Sequence, residues 1–239
     1  PATEHSVMCM GTQEDELGTF RRLIKELYPS GIVSIVADTW DFWQVITDFA
    51  LSLKSDILSR TPNSLGLAKV VFRPDSGDPV KIICGDSDAP KGSPAYKGAV
   101  ECLWDIFGGT KTAKGYKQMH ERVGLIYGDS ITLTRALAIL TGLEAKGFAS
   151  TNIVFGVGSY TYQYNTRDTF GFAMKATWGQ VNGQPRDIFK NPKTDSGTKR
   201  SAKGLLRVEK NDNGYVLFDQ QTSAQEKEGE LKDVFLNGK

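Results

Sequence analysis

Four short runs of β-branched and apolar residues, each closing on a polar or glycine-bearing group, constrain this chain more than any other feature. Ile32-Val33-Ser34-Ile35-Val36-Ala37 closes on Asp38, and Lys69-Val70-Val71-Phe72 closes on Arg73-Pro74-Asp75-Ser76-Gly77. Val123-Gly124-Leu125-Ile126-Tyr127 runs into Gly128-Asp129, and Asn152-Ile153-Val154-Phe155 into Gly156-Val157-Gly158-Ser159. Amphipathic stretches lie between them. Phe42, Val45, Ile46 and Phe49 recur at helical spacing, as do Tyr96, Ala99, Val100, Leu103 and Phe107. Leu133, Ala136, Leu137 and Leu140 make a further stripe, with Ser130 as its expected N-cap and Gly147 as its stop. Leu17, Phe20, Ile24 and Leu27 predict a helix ahead of the first strand. Strand, helix, strand, helix with continuous apolar strands predicts an α/β fold, a parallel sheet covered by helices.

Such a sheet gathers its strand ends along one edge. In an α/β barrel that edge is the active-site rim, and in an open sheet it is the ligand crevice. Asp38, Arg73 with Asp75, Gly128-Asp129 and Gly158-Ser159 should therefore converge. Taken singly, each aspartate reads as a loop cap or a solvated charge; four strand ends in agreement point to a site. Carboxylates such as Asp75 and Asp129 suit ribose hydroxyls, or Mg²⁺ beside a pyrophosphate. The Gly158-Ser159 turn lets backbone N–H groups approach a phosphate. Charge-assisted hydrogen bonds of this kind contribute roughly 1.5–3 kcal/mol each.

Beyond Ser159 the pattern changes. Phe172–Trp178, Leu205–Val208 and Tyr215–Phe218 read as strands between Gly- and Lys-rich loops. Residues 1–170 thus divide as βα units from a smaller, basic, β-rich portion at 171–239, within one catalytic domain over 1–239. Arg167, Lys175, Lys190, Lys199, Arg200 and Lys203 make a candidate phosphate or pyrophosphate clamp, whereas Lys193 reads as solvated loop. Gly108–Gly115 lacks the Gly-Lys-Ser/Thr order of a P-loop. His5, between Glu4 and Ser6, is a weak candidate by spacing alone. The four tryptophans read as core rather than ligand stackers.

Composition excludes several classes. Net charge is +1, from 29 basic and 28 acidic residues, so neither nucleic acid nor a membrane surface is the expected partner. Cys9, Cys84 and Cys102 fit no zinc or redox spacing and suit a reducing compartment. No apolar run is long enough for a membrane span and no signal peptide is visible, which makes the cytoplasm the expected location. The chain opens at Pro1, without an initiator Met, and is expected to be a processed or trimmed form.

Taken in order, Glu4-His5-Ser6, Ser34–Asp38, Arg73-Pro74-Asp75-Ser76-Gly77-Asp78-Pro79, Lys114-Gly115-Tyr116-Lys117, Gly128-Asp129, Phe155–Ser159, Thr166-Arg167-Asp168 and Lys199-Arg200-Ser201 resemble the nicotinamide phosphoribosyltransferases through essentially the whole chain. The resemblance implies a type II phosphoribosyltransferase: an irregular α/β barrel that joins nicotinamide to phosphoribosyl pyrophosphate, giving nicotinamide mononucleotide and pyrophosphate in NAD salvage. It implies Mg²⁺, ATP as an optional coupling substrate, and a head-to-tail homodimer with shared active sites. By the same resemblance His5 would take a phosphoryl group from ATP, Arg73 would lie along the nicotinamide ring, and Asp38 would stand near that pocket. Asp75 and Asp129, with Gly128, would hold the ribose hydroxyls, and Gly158 and Ser159 the 5′-phosphate. Arg167, Lys175 and Lys190 would match basic residues lent by the facing subunit. Family chains are considerably longer. The region that supplies a stacking aromatic, an amide-reading aspartate and a tyrosine crossing the dimer is not identifiable here, so an N-terminal domain is expected to be missing. A nicotinate-specific relative and a truncated, non-catalytic nucleotide-binding domain are the alternatives. A phosphosugar lyase would want a Schiff-base lysine at a strand end, and none of the four strands offers one.

Overall fold

A computed structural model describes residues 1–158, 167–171, 173–194 and 201–236, apart from the side chains of Arg167 and Asp168. Helix α1 (His5–Met10) leads into α2 (Glu16–Arg22), whose last turn widens into a π-helical segment at Leu23–Leu27. Strand β1 (Val33–Val36) is followed by a broken helix: α3 (Phe42–Gln44), a π-helical turn at Val45–Phe49, α4 (Ala50–Ser52) and α5 (Lys54–Leu58). After β2 (Val70–Arg73) come α6 (Pro79–Cys84), α7 (Pro94–Lys97) and α8 (Ala99–Phe107). The hairpin β3 (Gly109–Lys111) and β4 (Lys117–Met119) precedes β5 (Val123–Tyr127), α9 (Leu133–Ala145) and β6 (Val154–Phe155). Two further antiparallel pairs close the described chain: β7 (Trp178–Val181) with β8 (Gln184–Asp187), and β9 (Leu205–Asn211) with β10 (Gly214–Gln221).

The four runs expected as strands form one parallel sheet in the order β1-β2-β5-β6. Strands therefore succeed one another in chain order, with no reversal. Residues 1–3 extend the sheet beyond β1, since Ser34 N donates to Pro1 O at 3.0 Å and Thr3 N to Ser34 O at 2.9 Å. The side chains of β2 and β5 alternate in burial, and those of β1 do so up to Val36, which is buried beside Ile35. Val33, Ile35, Val70, Phe72, Leu125 and Tyr127 are fully enclosed, whereas Ser34, Val71, Gly124 and Ile126 are half-buried. The enclosed set belongs to one core with Phe20, Ile24, Phe42, Ile46 and Leu103 from the helices, and Phe72 stacks on Phe20 at 6.4 Å between ring centroids. Each such aliphatic side chain contributes roughly 1.5–3 kcal/mol by leaving water.

Arg60 ties the π-helical end of α2 to the segment that leads into β1. Its guanidinium donates to the carbonyls of Ile24 and Tyr28, both at 2.6 Å, and of Gly31 at 2.9 Å. The end of a helix leaves carbonyl oxygens without partners and carries partial negative charge, so a cation there both satisfies and neutralises it.

Several expectations shift. The helix after β5 is capped by Thr132, whose side chain accepts from Arg135 N at 3.3 Å, and not by Ser130. Ser130 has φ +54°, a left-handed conformation that cannot present the extended backbone of a cap. On α9 the buried residues are Ile139 and Leu143, while Leu133 and Leu137 are exposed; the apolar stripe is wider than the face that packs. Tyr96 falls on the separate helix α7 rather than on the α8 stripe. Ala173–Thr177 are not strand; β7 begins at Trp178, itself 37% exposed and so not core. Gly109–Lys111 is hairpin strand, in keeping with the rejection of a P-loop.

Glu16 in the first turn of α2 is 2% exposed, with Oε1 lacking a hydrogen bond. Burial, reinforced by the charges of Asp41 and Asp38, pushes its carboxyl up to about 8. Between the ordinary value of 4.5 and about 8 the folded chain holds a proton that the unfolded chain has released, so stability falls as pH rises through that window. Glu16→Gln is expected to remove this slope: denaturation midpoints measured at both ends of the window should converge in the variant and differ in the parent.

Candidate functional site

The edge at which β1, β2, β5 and β6 finish is assembled by hydrogen bonds between loops. Asp38, two residues past β1, is 1% exposed, and its Oδ2 accepts from the backbone N–H of Asp75 at 2.9 Å. That bond pins the loop after β2 to the end of β1. Farther along the loop, Ser76 Oγ pairs with Thr194 Oγ1 at 2.6 Å. Gly77 turns with φ +85°, and a Cβ there would come within 3.1 Å of Thr194 O, so conformation and space both call for glycine. Asp78 Oδ1 then accepts from Val80 N at 2.8 Å and Lys81 N at 3.3 Å, and Pro79 opens α6. The Asp-Pro pair is thus a helix start. Asp75 is left as the carboxylate of this loop that faces the cavity described below.

His5 is the first residue of α1. Its Nδ1 lies 3.1 Å from Thr39 Oγ1, and its Nε2 lies 3.8 Å from Asp38 Oδ1, covered from solvent and beyond hydrogen-bonding distance. Burial holds the imidazole below its ordinary pKa, opposed by Asp38 and Asp75 and assisted by Lys190 and Arg73. Arg73, at the end of β2, reaches back to the segment before α1: its Nη2 donates to Thr3 O at 2.5 Å and to Glu4 Oε1 at 3.2 Å.

Above this floor opens a cavity of about 780 Å³ whose walls include His5, Asp75, Asp129, Lys175, Phe189 and Lys190. Small-molecule sites commonly occupy several hundred cubic ångströms. Its lining combines carboxylates that follow two neighbouring strands with lysines from the segments flanking β7 and β8. An arrangement of that kind can accept hydroxyls and an anion in the same molecule. Among the described residues no three His, Cys, Asp or Glu side chains form a metal cage. Mg²⁺ needs only one or two carboxylates when a substrate's phosphates complete its shell, and Asp75 with Asp129 supplies that number.

Of the residues singled out from sequence, His5, Asp75, Asp129, Lys175 and Lys190 come together on the cavity wall. Asp38 stands beneath it as a support, and Arg73 is engaged by Thr3 and Glu4. Gly128 lies next to Gly156, where a Cβ on Gly156 would approach Gly128 Cα to 2.7 Å; Gly158 faces open space. Ser159, Lys199 and the side chain of Arg167 lie outside the described residues. Lys193 forms an exposed ion pair with Asp41, as befits a surface loop. Sequence reasoning missed Cys9, Phe189 and Ser201. The thiol of Cys9 donates to Phe189 O at 2.9 Å, and Ser201 Oγ accepts from Lys190 N at 3.3 Å, which fixes the segment that carries Lys190. No periodicity marks that segment, although Ser201 closes one of the quoted motifs. Among the described residues no helix is long and apolar enough to cross a membrane.

The chain is 75% identical over 238 residues to a protein named nicotinamide phosphoribosyltransferase from Acinetobacter baylyi, a match covering 100% of this chain and 47% of that protein. It is 42% identical over 204 residues to a protein of the same name from Mycoplasma pneumoniae, covering 85% of this chain and 43% of the relative. A third, from Xanthomonas campestris pv. campestris, is 31% identical over 245 residues and is covered to 48% of its length. The chain therefore spans about half the length of these relatives. The model of the nicotinate phosphoribosyltransferase (NAPRTase) family matches residues 1–239, and the chain belongs to that family.

Proposed function

We propose that this chain carries the phosphoribosyl-binding part of a nicotinamide phosphoribosyltransferase, which transfers phosphoribosyl from phosphoribosyl pyrophosphate to nicotinamide. The observation that carries the reading is the meeting of Asp75 and Asp129, from the ends of β2 and β5, with Lys175 and Lys190 on one cavity. The names of the relatives support the choice of base. In this reading the two carboxylates accept the ribose hydroxyls and the lysines face the phosphates. The pyridine nitrogen attacks the anomeric carbon as the bond to pyrophosphate breaks, and the electron pair leaves with pyrophosphate. The protein's part is to hold donor and acceptor in line and to stabilise charge with groups already in place. Mg²⁺, when bound, would neutralise pyrophosphate charge.

Consecutive parallel strands, enclosed on one face and half-buried on the other, support the expectation that the sheet is one arc of an α/β barrel. The division into βα units at 1–170 and a basic β-rich part at 171–239 belongs to the same reading, as does a cytoplasmic location. Lys175 and Lys190 reach Asp75 and Asp129 within one chain, so a head-to-tail homodimer would add the missing wall around the base rather than these two lysines. Phe189 is the one phenylalanine, tyrosine or tryptophan among the described lining residues. ATP coupling through His5 requires the ring to turn, because Nδ1 faces Thr39 and Nε2 is covered beside Asp38.

Asp75→Ala removes charge-assisted bonds to two hydroxyls, at roughly 1.5–3 kcal/mol each, and is expected to lower kcat/KM of the full-length enzyme by about 10²–10⁴. Formation of nicotinamide mononucleotide measures it, and unchanged turnover removes Asp75 from the site. Given equal nicotinamide and nicotinate in competition, the enzyme should consume nicotinamide; preference for nicotinate would reassign it to the acid-specific branch. Tight binding of nicotinamide mononucleotide by the full-length protein with no turnover of either base would favour a non-catalytic binding domain.

A further inference from the structure

Tyr127, the last residue of β5, is fully buried, and its phenol meets the loop after β2. Its hydroxyl donates to the carbonyl oxygen of Gly77 at 2.9 Å. Its own main-chain carbonyl accepts from Gly156 N at 2.9 Å. One residue thus joins the loop after β2 to β5 through its side chain, and β5 to the end of β6 through its backbone. Two positions later the same strand end delivers Asp129 to the cavity, and two positions before Gly77 the loop delivers Asp75. Asp38 holds the loop at the Asp75 amide, and the bond from Tyr127 is a further tie on the other side of that residue.

We propose that Tyr127 is a positioning residue: its hydrogen bond to Gly77 sets the placement of Asp75 relative to Asp129, and through it the grip on the ribose hydroxyls. The inference rests on the reading of the cavity as the phosphoribosyl site. Tyr127 is not among the residues that line the cavity, so it acts through Asp75. Burial, with Asp129, Asp38, Asp75 and Asp78 nearby, pushes the phenol far above its ordinary range, and the donor therefore persists wherever the protein is folded. A tyrosine that served packing alone would leave its hydroxyl to any nearby acceptor. This one meets the carbonyl of the loop that bears the carboxylate.

The test uses Tyr127→Phe, Asp75→Asn and the double variant in the full-length enzyme. Y127F keeps the ring and removes one donor. Its kcat/KM for phosphoribosyl pyrophosphate is expected to fall about tenfold, with KM for nicotinamide changed by less than about twofold. In the D75N background Y127F should add nothing, because residues that act as a unit are non-additive. A purely packing role would leave KM for the donor alone and multiply independently with D75N; either result overturns the proposal. Full activity in D75N would instead sink the assignment of the cavity, which separates the two failures. Should Y127F be too unstable for kinetics, hydrogen exchange at low temperature reads the same point. Amides of residues 73–79 should exchange faster while those of β5 stay protected, and loss of protection throughout β5, or none at all, counts against the positioning role.

Discussion

The contact on which the site depends is between two acidic residues, only one of which uses its charge there. Asp38 is almost wholly withdrawn from water and spends one carboxylate oxygen on the backbone N–H of Asp75. A carboxylate accepting an amide hydrogen bond in a buried setting is far stronger than a surface pair, because the surroundings do little to screen it. It turns the side chain of Asp75 outward into the cavity and leaves Asp38 itself beneath. Without that bond, two carboxylates at neighbouring strand ends would repel each other into solvent.

The same economy extends around the rim. The loops are fastened to one another at and below the cavity wall: Ser76 to Thr194, Asp78 to the start of α6, Cys9 to Phe189, Ser201 to Lys190. What remains facing inward is a small set of charges of both signs. Preorganised groups of this kind suit a reaction in which charge moves from a ring nitrogen toward a leaving pyrophosphate, since no reorientation is required as it moves. Apart from α1, which carries His5 and Cys9, the helices named so far contribute through the core; Arg60, on three carbonyls, secures the end of the π-helical segment after α2.

Much of this was legible in the residues. Continuous apolar runs between helical stripes could only be parallel strands, and Val123–Tyr127 lies where it was expected, residue for residue. Asp75 and Asp129 were also recoverable, because polar groups at the ends of strands in one parallel sheet share an edge, whereas Lys175 and Lys190 stood out only as members of a basic cluster. The losses have physical causes. Helical spacing shows that a face is apolar and not which part of it packs, hence the exposed Leu133 and Leu137. Ser130 has the chemistry of a cap, but its left-handed backbone assigns that task to Thr132. Lysines in a glycine-rich segment carry no period, so the flanks of β7 and β8 could be placed near the site only by composition. A support such as Tyr127 is invisible in sequence, where it reads as one more apolar residue of a strand.

The segment before α1 joins two parts that sequence keeps far apart. Thr3 accepts the guanidinium of Arg73 on its carbonyl and the Val36 amide on its hydroxyl, while the next two residues are Glu4, also held by Arg73, and His5. Histidine and arginine therefore hang from a common three-residue strut. The backbone that presents the imidazole to the cavity is thus the one that anchors the guanidinium at the end of β2.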